Sequence, residues 1–167
     1  MSEDRVIIDE KKITYSGLIA IGGFYKAMKQ ELDDLGYGPY EDYHAEEVHE
    51  DGKQILITFR GDKKVSDFAK IVWESKVAIS QATEVTVQKG HQKTKMHKAS
   101  AEVKSIVVLS TDYDKSFEQN AWLYFLRVVI DKFVFKSYVS RAMSQAKKDY
   151  SLFESKIKSF LNLENFR

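Results

Sequence analysis

The spacing of apolar residues along this chain changes several times, and each change predicts a new element. Residues 5–15 read RVIIDEKKITY, in which apolar and charged positions alternate and Ile7, Ile13 and Tyr15 share one side. Such alternation is typical of a β-strand with one face in water. We therefore expect the chain to open with a strand.

The next apolar residues recur every three or four positions over residues 18–35, and they predict an amphipathic helix. Gly36 stands where a left-handed residue would end that helix. Glycines weaken its first turn, so we expect the regular helix to begin near Gly22 and residues 16–21 to form a turn or an irregular entry. The charged residues of the outer side, Glu31 among them, are expected to be solvated.

The middle of the chain predicts antiparallel strands. Residues 37–49 and 54–60 flank the dipeptide Asp51-Gly52, which is typical of tight hairpin turns. A further strand begins near Val65 and carries its apolar residues on odd positions, which predicts an inward face made of those positions.

A second hairpin is predicted over residues 85–104, after a bend at residues 81–83. Its two β-rich runs surround residues 89–92. At about 3.3 Å per residue, a straight hairpin of this length would extend beyond a compact sheet. We therefore expect its distal part, where the lysines lie, to project or curl.

Residues 115–162 contain neither glycine nor proline, and their apolar spacing predicts one long helix or two helices with a soft break. A continuous helix would be about 70 Å long, so part of it must overhang, bend or meet a partner. Its first half is apolar nearly all round and its second half has a narrower apolar stripe, so we expect burial to fall toward the C-terminus.

These elements predict an α+β fold, in which an antiparallel sheet of about five strands packs on a long C-terminal helix and one N-terminal helix. We expect a single domain over residues 1–167, with the strands and first helix in 1–114 and the long helix in 115–162. The element order resembles the helix-grip arrangement of START-like domains, in which a curved sheet grips a C-terminal helix. The resemblance rests on element order, because no residue motif carries it.

Composition narrows the classes of function. The 167 residues are 43% hydrophobic and 31% charged, with 10 Phe and 9 Tyr, as in a globular domain with an aromatic core. The chain has no cysteine, which excludes disulfides, thiolate catalysis and iron–sulfur clusters. Charges begin at the third residue and no apolar run approaches about 20 residues, so we expect a cytoplasmic protein that does not contact a membrane.

No familiar catalytic or metal motif is present. His44 and His49 are five residues apart in a predicted strand and would face opposite sides, so they are poor partners for a metal ion. The glycine spacings of phosphate-binding loops and the nucleophile elbow are absent. We therefore predict no catalytic residue, no metal site and no cofactor.

Charge is segregated although the net charge is only +1. Residues 31–51 hold nine acids and no Lys or Arg, whereas residues 85–101 hold four lysines and no acid. The basic hairpin is thus the candidate binding site, either for a polyanion or for self-association. Its predicted binding residues are Lys89, His91, Lys93, Lys95, His97, Lys98 and Lys104.

Three interpretations of this hairpin remain open. It is a solvated turn, a contact for RNA or a ribonucleoprotein surface, or a contact for the acidic region of another copy. Alternation places Lys93 and Lys95 on one face and Lys98 on the other, as suits a ribbon surrounded by water or by a polyanion. No aromatic residue lies between Lys76 and Lys104, which disfavours recognition of RNA bases by stacking.

We therefore predict a non-catalytic interaction protein that uses the basic hairpin and the overhanging end of the long helix. The alternative is a helix-grip domain that binds a small apolar ligand, as an enzyme or otherwise, between the sheet and the C-terminal helix. The residues predicted to line that cavity are Ile71, Trp73, Trp122, Phe125, Val129 and Phe133.

Overall fold

The computed structural model describes residues 3–66, 69–89, 92–111 and 135–165. These residues form strands β1 (Glu3–Ile19), β2 (Tyr40–His49), β3 (Gly52–Ser66), β4 (Ala69–Lys89) and β5 (Gln92–Thr111), and helices α1 (Ile21–Asp34) and α2 (Phe135–Asn165). The strands make one antiparallel sheet in the order β1-β5-β4-β3-β2. The predicted α+β fold is confirmed. The part of the predicted long helix before residue 135 lies outside the described residues.

Both helices lie on the inner face of the sheet, which carries the odd residues of β4. Trp73 is fully buried there, and its ring lies 5.1 Å from that of Phe153 and 5.8 Å from that of Tyr150, both on α2. On α1, the Tyr25 ring lies 5.2 Å from that of Phe59 on β3. The core thus lies between the sheet and the two helices.

Helix α1 ends as its sequence predicts. Gly36 has a φ of +83°, and its N–H donates to the carbonyl of Asp33 at 2.8 Å. The N–H of Tyr37 donates to the carbonyl of Leu32 at 3.0 Å, and this pair of hydrogen bonds closes the helix as a Schellman motif. The motif brings the side chain of Tyr37 into the core, where it is fully buried.

The prediction of a turn or irregular entry at residues 16–21 was wrong. β1 continues to Ile19, and α1 begins at Ile21 after a single intervening residue. Residues 16–19 pair with residues 97–100 of β5, so a ladder formed with a distant strand overrides the local effect of the glycines.

Glu31 was expected to be solvated, but it is only 8% exposed. Lys156 on α2 donates to its carboxylate at 3.3 Å, so the acid lies where the two helices meet.

A second difference from the predicted pattern concerns β1, in which both Ile7 and Ile8 are buried. Register shifts on either side of Ile8 interrupt the simple alternation that the sequence predicts.

The narrow apolar stripe of α2 is buried along the described helix as far as Leu161, which is 2% exposed. The residues of this stripe are Val139, Ala142, Ala146, Tyr150, Phe153, Ile157 and Leu161. The C-terminal half of the predicted helix is therefore packed on the core rather than overhanging it.

Candidate functional site

Beyond the body of the sheet, β4 and β5 continue as a two-stranded ribbon. β3 pairs with β4 only as far as Ala82, and β1 pairs with β5 only as far as His97. Further out, β4 and β5 pair only with each other among the described residues. We call residues 83–89 and 92–98 the ribbon; at its base, His97 and Lys98 still pair with Ile19 and Leu18 of β1. At about 3.3 Å per residue, the seven residues of β4 extend roughly 23 Å, so the hairpin projects as its length predicts.

A bulge marks the base of the ribbon. The register of β4 against β5 shifts between Ser80 and Thr83, and Gln81 has a φ of +55°. A bulge bends a strand and increases its twist, so it directs the ribbon away from the line of the sheet. The bend predicted at residues 81–83 is confirmed.

Three exposed lysines of the ribbon differ in their ionic partners. Lys95 Nζ lies 2.8 Å from a carboxylate oxygen of Glu84 on the facing strand. The hydrogen bond between them lowers the pKa of the Glu84 carboxyl and raises that of the Lys95 ammonium. Among the described residues, Lys93 and Lys98 have no carboxylate partner. Among its described side chains, the ribbon therefore presents two lysines without a carboxylate partner and one that is paired with an acid.

The base of the ribbon is less open than its distal part. His97 is half-buried, and its Nδ1 atom is enclosed without a hydrogen-bond partner among the described residues. Met96 is 1% exposed and lies opposite Val85 in the ladder. The expectation of a ribbon surrounded entirely by water or a polyanion is therefore wrong at this point, because Met96 is buried.

The structure does not bring all the predicted binding residues together. Lys104 lies in the body of the sheet, six residues or about 20 Å along β5 from Lys98. Its ammonium lies 3.3 Å from Glu10 and 3.4 Å from Glu102. Hydrogen bonding to Glu10 and then to Glu102 raises the pKa of this ammonium. The side chains of Lys89 and His91 lie outside the described residues.

The predicted ligand cavity is described at two of its six residues. Ile71 and Trp73 are buried at 1% and 0% exposure, and among the described residues the rings of Tyr37, Tyr150 and Phe153 surround the indole, that of Tyr37 at 5.0 Å. Its N–H donates to the hydroxyl of Ser75 at 2.9 Å. This indole is a packed core residue with a satisfied polar atom. The other four residues, Trp122, Phe125, Val129 and Phe133, lie outside the described residues, so the cavity stays a prediction.

A buried polar cluster, which the sequence did not predict, joins α2 to β3 and to the loop after α1. Asp149 is 2% exposed and accepts hydrogen bonds from the Tyr37 hydroxyl at 3.0 Å and from Gln145 Nε2 at 2.8 Å. Lys63 Nζ lies 3.3 Å from the same carboxylate and donates to the carbonyl of Leu35 at 2.8 Å. Burial and the adjacent carboxylate raise the pKa of Tyr37. Because the carboxylate already has three donors, the cluster is structural.

The exposure of β2 on both faces is the second feature that the sequence did not predict. It lies at the edge of the described sheet and pairs with β3, and nine of its ten residues are exposed, so neither face is covered. Tyr40 and Tyr43 are 53% and 54% exposed, and Val48 is 79% exposed. A strand usually buries one of its two faces, so this bare edge strand is a candidate contact surface.

The described residues contain no group of three or more histidines, aspartates or glutamates placed to hold a metal ion. Within the same residues, no helix has both the length and the apolar character required to cross a membrane.

No protein-family model and no protein of curated function matches the chain. A solved structure of an uncharacterized protein from Rhizobium leguminosarum is similar to this chain with a TM-score of 0.21 and 8% sequence identity, over 93% of this chain and 99% of that one. At that TM-score the similarity carries no argument about fold or function.

Proposed function

We propose that the protein is a non-catalytic interaction module whose ribbon contacts an anionic macromolecular surface. One observation carries the proposal: the ribbon extends beyond both neighbouring strands, with Lys93 in its projecting part and Lys98 at its base beside β1, and neither lysine has a carboxylate partner among the described residues. Partners of this chemistry are RNA, a ribonucleoprotein surface and the acidic region of another copy. A cytoplasmic location is part of the proposal.

The contact is made by charge rather than by recognition of bases. Residues 83–98 contain no Phe, Tyr or Trp on whose ring a base could stack. Lysine ammonium groups attract phosphates or carboxylates and position a partner without selecting its sequence. We therefore expect binding that weakens steeply with salt and depends little on sequence.

The experiment replaces Lys93, Lys95 and Lys98 with Gln and measures retention of a single-stranded RNA oligonucleotide and the size of the protein over a range of salt. If RNA is the partner, loss of three phosphate contacts reduces the slope of log affinity against log salt by about 2 to 3. If another copy is the partner, the oligomer becomes smaller instead.

The matched control replaces Lys26, Lys29 and Lys148 with Gln. These are exposed helical lysines without a carboxylate partner among the described residues, so the control has the same change in charge. It is expected to behave as the wild type. If the ribbon variant and the control both retain wild-type RNA binding and size, the ribbon is not an interface.

A further inference from the structure

We infer that the anionic surface is the β2 edge of a second copy, onto which the outer part of β5 in the ribbon adds as a further strand. This inference rests on the proposed function and names the partner of the ribbon. Addition of a strand to an open sheet edge gives affinity through main-chain hydrogen bonds and specificity through side chains.

The receiving edge is β2 rather than β1, the other edge of the sheet. β1 has register shifts on both sides of Ile8 and is regular from Lys11 to Ile19, but this regular part contains Lys11 and Lys12 and no acid, so it would repel a basic strand. β2 has one shift, after Glu41, and from Tyr43 onward it pairs regularly with β3. Residues 43–49 thus offer a regular edge of seven residues.

Charge excludes the simplest partner for that edge, which is another β2. The regular part of β2 contains Glu46 and Glu47 and no lysine or arginine; Glu46 pairs with Lys53 of β3 and Glu47 lies 3.3 Å from His49, so Glu47 is the acid without a lysine partner among the described residues. Antiparallel pairing of two copies of residues 43–49 about Glu46 would place Glu46 opposite Glu46, and pairing shifted by one residue would place Glu46 opposite Glu47; acids that face each other destabilise a sheet. A strand with basic residues and no acid is the better fit.

The ribbon supplies such a strand. Residues 92–96 pair with β4 on one side and with no other described strand on the other, and their sequence QKTKM contains no acid. Lys93 and Lys95 are two residues apart, whereas Glu46 and Glu47 are adjacent. Two such lysines can face five pairs of positions within residues 43–49, and four of these pairs include Glu46 or Glu47.

The symmetry of the assembly follows from where these two surfaces lie. The ribbon and the β2 edge are different surfaces of one chain, so the contact is heterologous. Each copy gives its ribbon to a neighbour and receives a ribbon in return from that neighbour or from another. Repetition of the contact makes an open filament or a closed ring, the smallest of which is a pair of copies that exchange ribbons.

The test uses charge reversal in the full chain and measures mass by light scattering from dilute to concentrated protein. One variant carries Lys93→Glu and Lys95→Glu, and the other carries Glu46→Lys and Glu47→Lys. We expect the mass of the wild type to rise above the 19.3 kDa monomer with concentration. Each variant alone is expected to self-associate at least tenfold more weakly, because like charges then face each other.

Mixing the two variants, or combining all four changes in one chain, restores opposite charges and is expected to restore the mass. A matched control with Lys26→Glu and Lys29→Glu on α1 is expected to keep the mass of the wild type. Circular dichroism confirms that each variant is folded, and the restored mixture shows that loss of mass was not loss of structure.

The outcomes separate this inference from the proposed function. If all proteins are monomers at every concentration and the lysine variant alone loses the RNA oligonucleotide, the inference is overturned and the proposed function stands with RNA as partner. If neither mass nor RNA retention depends on the ribbon lysines, both fail. Restoration of mass on mixing supports both.

Discussion

Replacing Asp149 with Ala tests whether the buried polar cluster fixes α2 to the sheet. The carboxylate is 2% exposed and has three donors, of which Tyr37 is fully buried. Removing one partner of a buried ion pair costs about 3–5 kcal/mol. Lys63 is about one-third exposed and keeps its hydrogen bond to the carbonyl of Leu35, so we expect the lower end, about 3 kcal/mol.

The assay is unfolding in urea, followed by far-ultraviolet circular dichroism, with thermal unfolding as a second measurement. For a chain of this length, about 3 kcal/mol lowers the melting temperature by about 6–12 °C. The matched control is Glu154→Ala on the same helix, which removes the exposed pair of Glu154 with Lys158 at 2.6 Å. That change is expected to cost less than about 0.5 kcal/mol.

A double variant sharpens the test. Lys63→Met with Asp149→Leu removes both charges and fills the space with apolar atoms, so it is expected to cost less than the sum of the two single changes. The reasoning is refuted if Asp149→Ala costs no more stability than Glu154→Ala. It is also refuted if the cost of the double variant equals the sum of the costs of Lys63→Met and Asp149→Leu.

Three further predictions concern single residues. Burial, followed by the charge of Glu154, raises the pKa of Tyr150 to about 12 from 10.0, so its neutral form is favoured in the fold. The stabilisation that Tyr150 contributes is therefore present below pH 10 and is lost as the pH rises toward 12. Between pH 9 and about pH 11, the free energy of unfolding of the wild type should fall by about 1 kcal/mol more than that of Tyr150→Phe, as measured by urea unfolding at each pH. Gly52→Ala should cost at least about 1 kcal/mol, because Gly52 has a φ of +125° and a Cβ there would lie 2.8 Å from the backbone of Gln81; an unchanged urea midpoint would contradict this. A Cβ at Gly22 would meet no atom within 4 Å, and Gly22 lies in α1, so Gly22→Ala should raise the free energy of unfolding by about 0.5–1 kcal/mol and the urea midpoint with it; a lower midpoint would show that Gly22 has a role beyond helix propensity.

The parts of the fold that the sequence predicts are those with a local cause. Gly36 ends α1 because a left-handed residue is required there, and Gly52 follows the turn between β2 and β3. The odd residues of β4 face inward because a strand alternates. The bend near residue 81 is visible as an interruption of that alternation.

The parts that the sequence does not predict depend on distant partners. β1 extends to Ile19 because β5 pairs with it, and Glu31 is buried because α2 passes over it. Asp149 gives no local sign of its role, since its donors Tyr37 and Lys63 lie 112 and 86 residues away along the chain. Spacing along one element contains no information about which other element will cover it.

The candidate site also has some features that the local sequence predicts and others that depend on distant partners. The length of the second hairpin predicts the projection of the ribbon, and composition predicts its charge. Which lysine is compensated depends on register, because Lys95 meets Glu84 across the ladder and Lys104 meets Glu10 on another strand. The exposure of β2 depends on where both helices pack, and the sequence of β2 gives no information about the positions of those helices.

The central claim, that the ribbon is a contact surface, is tested most directly by hydrogen–deuterium exchange of the full chain in three conditions: dilute, concentrated, and dilute with the RNA oligonucleotide. Outward N–H groups of an edge strand lack partners and exchange quickly until another chain covers them. We predict that residues 92–96 and 43–49 exchange more slowly in concentrated protein, while β1 does not change. Equal exchange of residues 92–96 in all three conditions would contradict the claim.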